Sequence, residues 1–337
     1  MNQRSRPKKT TVRDVAEAAG VSVATVSRVL NDSAQVAPDK KSRVLDAIDT
    51  LRFTPSAAAR AVNTGRSRIV GALIPTLEHA IFARFLNVLE ERLNQHELSL
   101  VVAATRGDPD IEVARARALA NLGIEGLFVS GVTHDPAFFE LVQRRDIPVL
   151  ATSYFDPSNA LPTVGYDNAK AARMAMDHLI ELGHKDIIIL HGPVANNDRT
   201  AERLKGAKSG SDISVRTFES PLDFTAVGSV LENALAVCPN ATAALCFSDV
   251  LAQGALLHMP SLGLAAPSDL SVIGIDDLPG SASVPPGLTT VHLPVGQMGE
   301  HAADQLAGWV EGRGPAKPFE VKPRLIVRGS TAAPRKK

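Results

Sequence analysis

The 337-residue sequence predicts a small all-α head followed by an α/β body of two parallel-sheet lobes. Three observations lead there. Residues 10–31, TTVRDVAEAAGVSVATVSRVLN, carry helical apolar spacing broken once by a glycine. From residue 67 onward, short apolar runs alternate with amphipathic stretches, the pattern of βαβ units. That alternation begins again after VGYDN, residues 164–168, which calls for a second sheet.

In the head, Val12, Val15, Ala16 and Ala19 recur at helical spacing and the pattern stops at Gly20. Ser22 is placed to cap a second helix whose Val26, Val29 and Leu30 face inward. Val23, Ala24, Ser27 and Arg28 then share the outward side, where a recognition helix meets base edges in a major groove. This is a helix-turn-helix. A third helix follows within residues 36–53, with Pro38 in its first turn and Val44, Leu45, Ile48 and Leu51 as the buried stripe. Residues 56–68, SAAARAVNTGRSR, have little to bury and read as a hinge that folds only when something supports it.

The body opens with the apolar run IVGALI (69–74), a buried strand, and Phe82, Phe85, Leu86, Leu89 and Leu93 mark the helix after it. LSLVVAA, GLFVSG and IPVLAT repeat the strand theme, with helices near 110–122 and 136–145 between them. In the second set come a helix ending at Gly183, the strand DIIILHG, a helix from about Arg199, the strand TAALCF, a helix from Asp249 and the strand LSVIGIDD. LTTVHLP (288–294) leads to a helix at 296–311 and late strands near 319–328. Such a return implies crossovers between the lobes, with a ligand cleft at the carboxyl ends of the strands.

Charge divides the chain the same way. Formal net charge is zero, yet residues 1–68 hold 13 Lys and Arg against 6 Asp and Glu. A basic head on an acidic body points to a polyanion at one end. Cys238 and Cys246 form no disulfide framework and no metal-ligand spacing, which fits a reducing cytoplasm. The basic N-terminus MNQRSRPKKT lacks an apolar segment and no run of about 18 apolar residues occurs, so neither export nor membrane insertion is expected. The phosphate loop G-x-x-x-x-G-K-[ST], the G-x-S-x-G elbow and H-E-x-x-H are all missing, and His178 and His184 lie six apart, a poor metal pair. A cytoplasmic metabolite-binding protein, or an enzyme with an α/β cleft, is the alternative reading; the DNA-binding head weighs against the first and the missing motifs against the second. No metal or other cofactor is expected.

These residues resemble the LacI/GalR family of transcription regulators over essentially the whole chain. VRDVAEAAGVSVATVSRVLN, AARAVNTGRSRIVGALIP, VGYDN with HLIELGH, LSVIGIDDLP, PPGLTTVHLP and RLIVRGST stand in family order and at family spacing. The resemblance implies a homodimeric repressor on a roughly palindromic operator, with a type I periplasmic-binding-protein-like core that takes a small carbohydrate-like effector. It divides the chain into a headpiece (1–55), a hinge (56–66) and a core (67–337), the N-terminal lobe being about 67–166 and 294–320 and the C-terminal lobe about 167–293 and 321–330. With no leucine heptads in the closing STAAPRKK, a dimer is expected rather than a tetramer.

Roles transfer by position. Val23, Ala24 and Arg28 match base-reading positions, and the Arg28 fork suits guanine O6 and N7. Ser22, Thr25, Ser27 and Asn31 match phosphate-contacting positions, and Thr11 joins the DNA-contacting set. In the hinge, Arg60 is left to meet phosphate or minor groove, and Val62 stands where the family has a leucine wedge. Ser56 replaces the usual asparagine and Ala37 the usual Ser or Thr. In the core, Arg203 matches the effector-contacting arginine and Asp276 the acceptor of ligand hydroxyls. Thr76 and Phe82 fall where the family lines its cleft, although Phe82 also reads as core. Asp249 reads equally as an effector contact or a helix cap, and Arg106 as a cleft residue or an exposed loop arginine. Arg106 and Arg203 together would suit a sugar acid or sugar phosphate better than a neutral sugar. Trp309, Tyr154 and Tyr166 offer no obvious stacking platform.

Overall fold

The computed structural model describes residues 10–30, 36–53, 65–208 and 212–335. Contacts divide the chain into two compact units, residues 1–67 and residues 68–337.

In the first unit, α1 (Val12–Ala19), α2 (Val23–Leu30) and α3 (Pro38–Thr50) enclose a small core of Val15, Ala16, Ala19, Val26, Val29, Val44, Ala47 and Phe53. Thr11 and Asp14 form a reciprocal capping box at the start of α1. Leu45 departs from the expected stripe and is 50% exposed. Positions 44, 47, 48 and 51 keep the i, i+3, i+4, i+7 spacing of one face, and residue 45 lies about 100° round from Val44. Ala47 and Phe53 fill the core instead. Asn31, Ser56, Arg60 and Val62 lie outside the described residues.

The second unit holds two six-stranded sheets. The first is built from β1 (Ile69–Ile74), β2 (Ser99–Ala104), β3 (Gly126–Ser130), β4 (Val149–Thr152) and β5 (Thr163–Gly165), closed at its edge by β11 (Phe319–Glu320). The second is built from β6 (Asp186–His191), β7 (Ser214–Glu219), β8 (Ala243–Cys246), β9 (Ser271–Asp276), β10 (Thr289–His292) and β12 (Arg324–Ile326). All pairings are parallel except β10 with β12. Strands buried on both faces must be almost wholly apolar, and β8 (AALC) and β1 (IVGALI) are. The late strands expected at 319–328 resolve into two short ones that join different sheets.

Helices cover both sheets: α4 (Ala80–Gln95), α5 (Pro109–Asn121), α6 (Pro136–Arg144) and α11 (Val295–Val310) on the first, and α7 (Asn168–Glu181), α8 (Asp198–Gly206), α9 (Ala226–Val237) and α10 (Asp249–His258) on the second. Sequence spacing did not point to α9 or β7. The strand β7 alternates only weakly and is the exposed edge of its sheet, so it carries no apolar run. At Gly206, which closes α8, an added Cβ would stand 2.0 Å from the Ala169 carbonyl oxygen, so the contact of α7 with α8 requires glycine there.

Candidate functional site

Two surfaces carry chemistry. On the head, Val26 and Val29 are buried while Ser22, Val23, Ala24 and Arg28 are exposed along the opposite side of α2. Helical periodicity thus separates core from contact face within eight residues. Ser22 Oγ accepts the Thr25 N–H at 3.2 Å and shares a 3.0 Å hydrogen bond with Thr25 Oγ1, which pins the start of α2. Thr25 and Ser27 are half-buried at the edge of that face. The Thr11 hydroxyl donates to the Asp14 carboxylate at 2.8 Å, so its first task is capping α1.

In the second unit, the carboxyl ends of the two sheets face each other across a cleft with an inner cavity of about 140 Å³. Arg203 on α8 reaches it with its guanidinium held from behind: Nε donates to Asn168 Oδ1 at 3.1 Å and Nη1 donates to the Phe247 carbonyl. Asp276, the last residue of β9, stands in the same cavity with φ +134°, a backbone conformation that costs an L-residue energy and is held by the surrounding structure. Its carboxylate accepts Ser248 Oγ at 3.0 Å. Burial pushes the Asp276 carboxyl up to about 7, with Arg203 and the Ser248 hydroxyl pulling it the other way. A fixed donor fork beside a buried acceptor suits a ligand edge that both accepts and donates hydrogen bonds.

Thr76 and Phe82 line this cavity. Phe85, Tyr166 and Phe247 add aromatic side chains to its lining, a platform that was not obvious in the sequence. Ser248, inside FSD, carries no cavity signal in the sequence, because only the meeting of the two lobes turns it inward. Arg199 also reaches the cavity, and its sequence context held no signal for that.

Two expected contacts are not brought there. Asp249 is fully buried behind the cavity wall, where its Oδ2 accepts the Leu278 N–H at 3.0 Å and Ser281 Oγ at 2.5 Å and its Oδ1 accepts Thr290 Oγ1 at 2.6 Å. It braces α10 against β9 and β10 and has no surface left for an effector. Arg106 is exposed and lines a wider, adjoining opening of about 720 Å³. The inner cavity that Arg203 lines does not include Arg106, although Thr76, His79 and Arg199 border both spaces. Asp277 is a brace as well, accepting Arg328 Nη2 at 2.7 Å and pairing with His292 Nδ1 at 2.9 Å, and these partners hold its carboxyl below the usual range against its burial.

Among the described residues, no group of three or more His, Cys, Asp or Glu is placed to hold a metal ion. No described helix is long and apolar enough to cross a membrane.

An exposed recognition helix on one unit and a two-lobed binding cleft in the other define a ligand-responsive DNA-binding regulator. Residues 11–56 match the bacterial regulatory proteins of the lacI family, and residues 176–331 match a periplasmic binding protein-like domain. The chain is 33% identical over 339 residues to the HTH-type transcriptional regulator reg1 of Streptomyces lividans, covering 96% of this chain and 97% of that one. It is 32% identical to the HTH-type transcriptional repressor PurR of Edwardsiella ictaluri, with the same coverage of 96% and 97%. The fold is shared with the Lac repressor dimer bound to operator and the anti-inducer ONPF, at TM-score 0.86 and 24% identity, covering 97% of this chain and 100% of that one. The protein belongs to the LacI family of DNA-binding transcriptional regulators; it carries a ligand-binding domain and is not an enzyme.

Proposed function

We propose that this regulator is a cytoplasmic repressor that binds a palindromic operator as a homodimer and is controlled by an uncharged, hydroxyl-bearing metabolite in the inner cavity. The headpiece (1–55), hinge (56–66) and core (67–337) divide these tasks. Val23, Ala24 and Arg28 read bases, with Thr11, Ser22, Thr25, Ser27 and Asn31 toward the backbone and Arg60 and Val62 at the minor groove. Dimeric operator binding is what the Lac repressor structure names for that protein, and shared architecture supports it here.

The observation that carries the ligand class is the pairing of charges. Arg203 lines the inner cavity together with Asp276, and Arg199 is paired with Asp198 at 2.9 Å, while Arg106 lies outside that cavity in the adjoining opening. A carboxylate or phosphate would meet Asp276 as well as Arg203, whereas a neutral diol accepts from one and donates to the other. Phe82 and Phe247 in the lining offer apolar surface to the ring faces of such a ligand. Titration calorimetry with neutral sugars and their uronic acids and phosphates tests this, followed by operator binding at stated salt. Binding of a neutral sugar that changes operator affinity is the expected result; tight binding of an acid with none of its neutral parent overturns it.

A further inference from the structure

The two lobes are joined across the cleft by more than their connecting strands. His79 Nε2 lies 3.1 Å from the Leu222 carbonyl oxygen and Arg84 Nη1 donates to the Asp277 carbonyl at 2.8 Å. The densest of these links starts at the first turn of α8. Asp198 Oδ2 accepts the N–H of Val132 at 2.6 Å and of Thr133 at 2.9 Å, both on the loop that follows β3 in the other lobe. Arg199 Nη1 donates to Asp198 Oδ1 and to the carbonyl of Ser130, each at 2.9 Å. Both side chains are nearly buried, at 10% and 14% exposure, so these charge-assisted bonds are shielded from water.

The loop is shaped for this contact. Gly131 has φ +84°, and a Cβ added there would stand 2.1 Å from Arg199 Nη1 and 2.5 Å from Asp198 Oδ1. Any other residue would push the two side chains away. Capping does not explain Asp198, because Asn197 is the N-cap of α8 and its side chain accepts the Thr200 N–H at 3.3 Å. Arg199 also borders the inner cavity, the wider opening that holds Arg106, and a recess of about 240 Å³ at the carboxyl ends of β1, β2 and β3. The same guanidinium thus holds the lobes together and partitions the cleft.

We infer that Asp198 and Arg199 form a clasp that holds the two lobes closed over the cavity. An effector that binds one arrangement of the lobes better than the other shifts the balance between clasped and open forms. This inference stands on the cleft geometry and holds whichever ligand class binds.

Hydrogen–deuterium exchange on the full-length protein without added ligand tests it. In the wild type, the Val132 and Thr133 amides exchange slowly; Asp198→Ala and Gly131→Ala each speed them by roughly tenfold or more, and Asp198→Asn, which keeps an acceptor, falls between. Strand amides of β1 and β9 stay protected in every variant, which separates clasp opening from unfolding. If Asp198→Ala does not fold, Arg199→Met, which removes the bond to Ser130, carries the same expectation for the loop. Loop amides that exchange at unprotected rates in the wild type, or at wild-type rates in the folded variants, overturn the clasp. A radius of gyration from X-ray scattering that rises in the variants supports it independently, and one that does not change in any variant counts against it.

Discussion

Ser248 Oγ donates to the Asp276 carboxylate at 3.0 Å, tying the residue before α10 to the end of β9 at the cavity wall. The bond holds a strained acceptor in place beside Arg203. Because burial raises the Asp276 carboxyl to about 7 from its ordinary value of 3.8, the folded protein keeps a proton that the unfolded chain has released. Its contribution to stability is fully present below the unfolded value and is lost as pH rises through about 7. Unfolding followed from pH 4 to pH 8 should show that decline in the wild type and a flatter profile in Asp276→Asn; identical profiles would remove the assignment.

Effector binding should fail first at Arg203. Its Nε and Nη1 are held by Asn168 and Phe247, so the fork is aimed without further ordering. Arg203→Met should weaken effector binding by about 2–3 kcal/mol, roughly 30- to 150-fold, while operator binding without effector stays at wild-type level. Calorimetry and a DNA-binding assay on one preparation separate the two.

Asp249 should matter for stability and not for ligand affinity. Three donors converge on its carboxylate, and an alanine leaves Leu278 N–H and the Ser281 and Thr290 hydroxyls without that acceptor. Asp249→Ala should cost about 3–5 kcal/mol in denaturant unfolding. A variant of normal stability that has lost its effector would make Asp249 a ligand contact and leave β9 and β10 without the brace.

On the head, Arg28→Ala should cost about 1–3 kcal/mol of specific binding and relax preference at one base pair, with little change in nonspecific affinity. Val62→Leu should tighten operator binding by restoring the longer apolar wedge. Binding curves on matched and mismatched half-sites at fixed salt check both.

Gly206→Ala should destabilise the core by about 1–3 kcal/mol, because the new methyl overlaps the Ala169 backbone rather than a movable side chain. Thermal unfolding reports it, and an unchanged midpoint would mean that α7 and α8 shift apart freely.

Much of the fold was legible from residue order. Apolar spacing separates Val26 and Val29 from Val23, Ala24 and Arg28 without any structure, since a helix of known pitch leaves each position one azimuth. Apolar runs likewise place β1, β6, β8 and β9, and the motif around Arg203 and Asp276 points to the cavity that both line. Local chemistry did not separate Asp249 from Ser248: neighbours at a helix start point different ways, and only the packing of α10 on β9 and β10 decides which meets the ligand. Arg106 and Arg203, about a hundred residues apart, looked like one site because sequence holds no distance between lobes. The clasp of Asp198 and Arg199 on the β3 loop was invisible for the same reason. By itself, then, the sequence determined most of the elements and their faces, which follow from short-range periodicity, and the order of its motifs gave the class of protein. Which charges are paired, which carboxylate is buried as a brace and how the cleft is closed depend on contacts between residues distant in the chain, and those the tertiary structure alone decided.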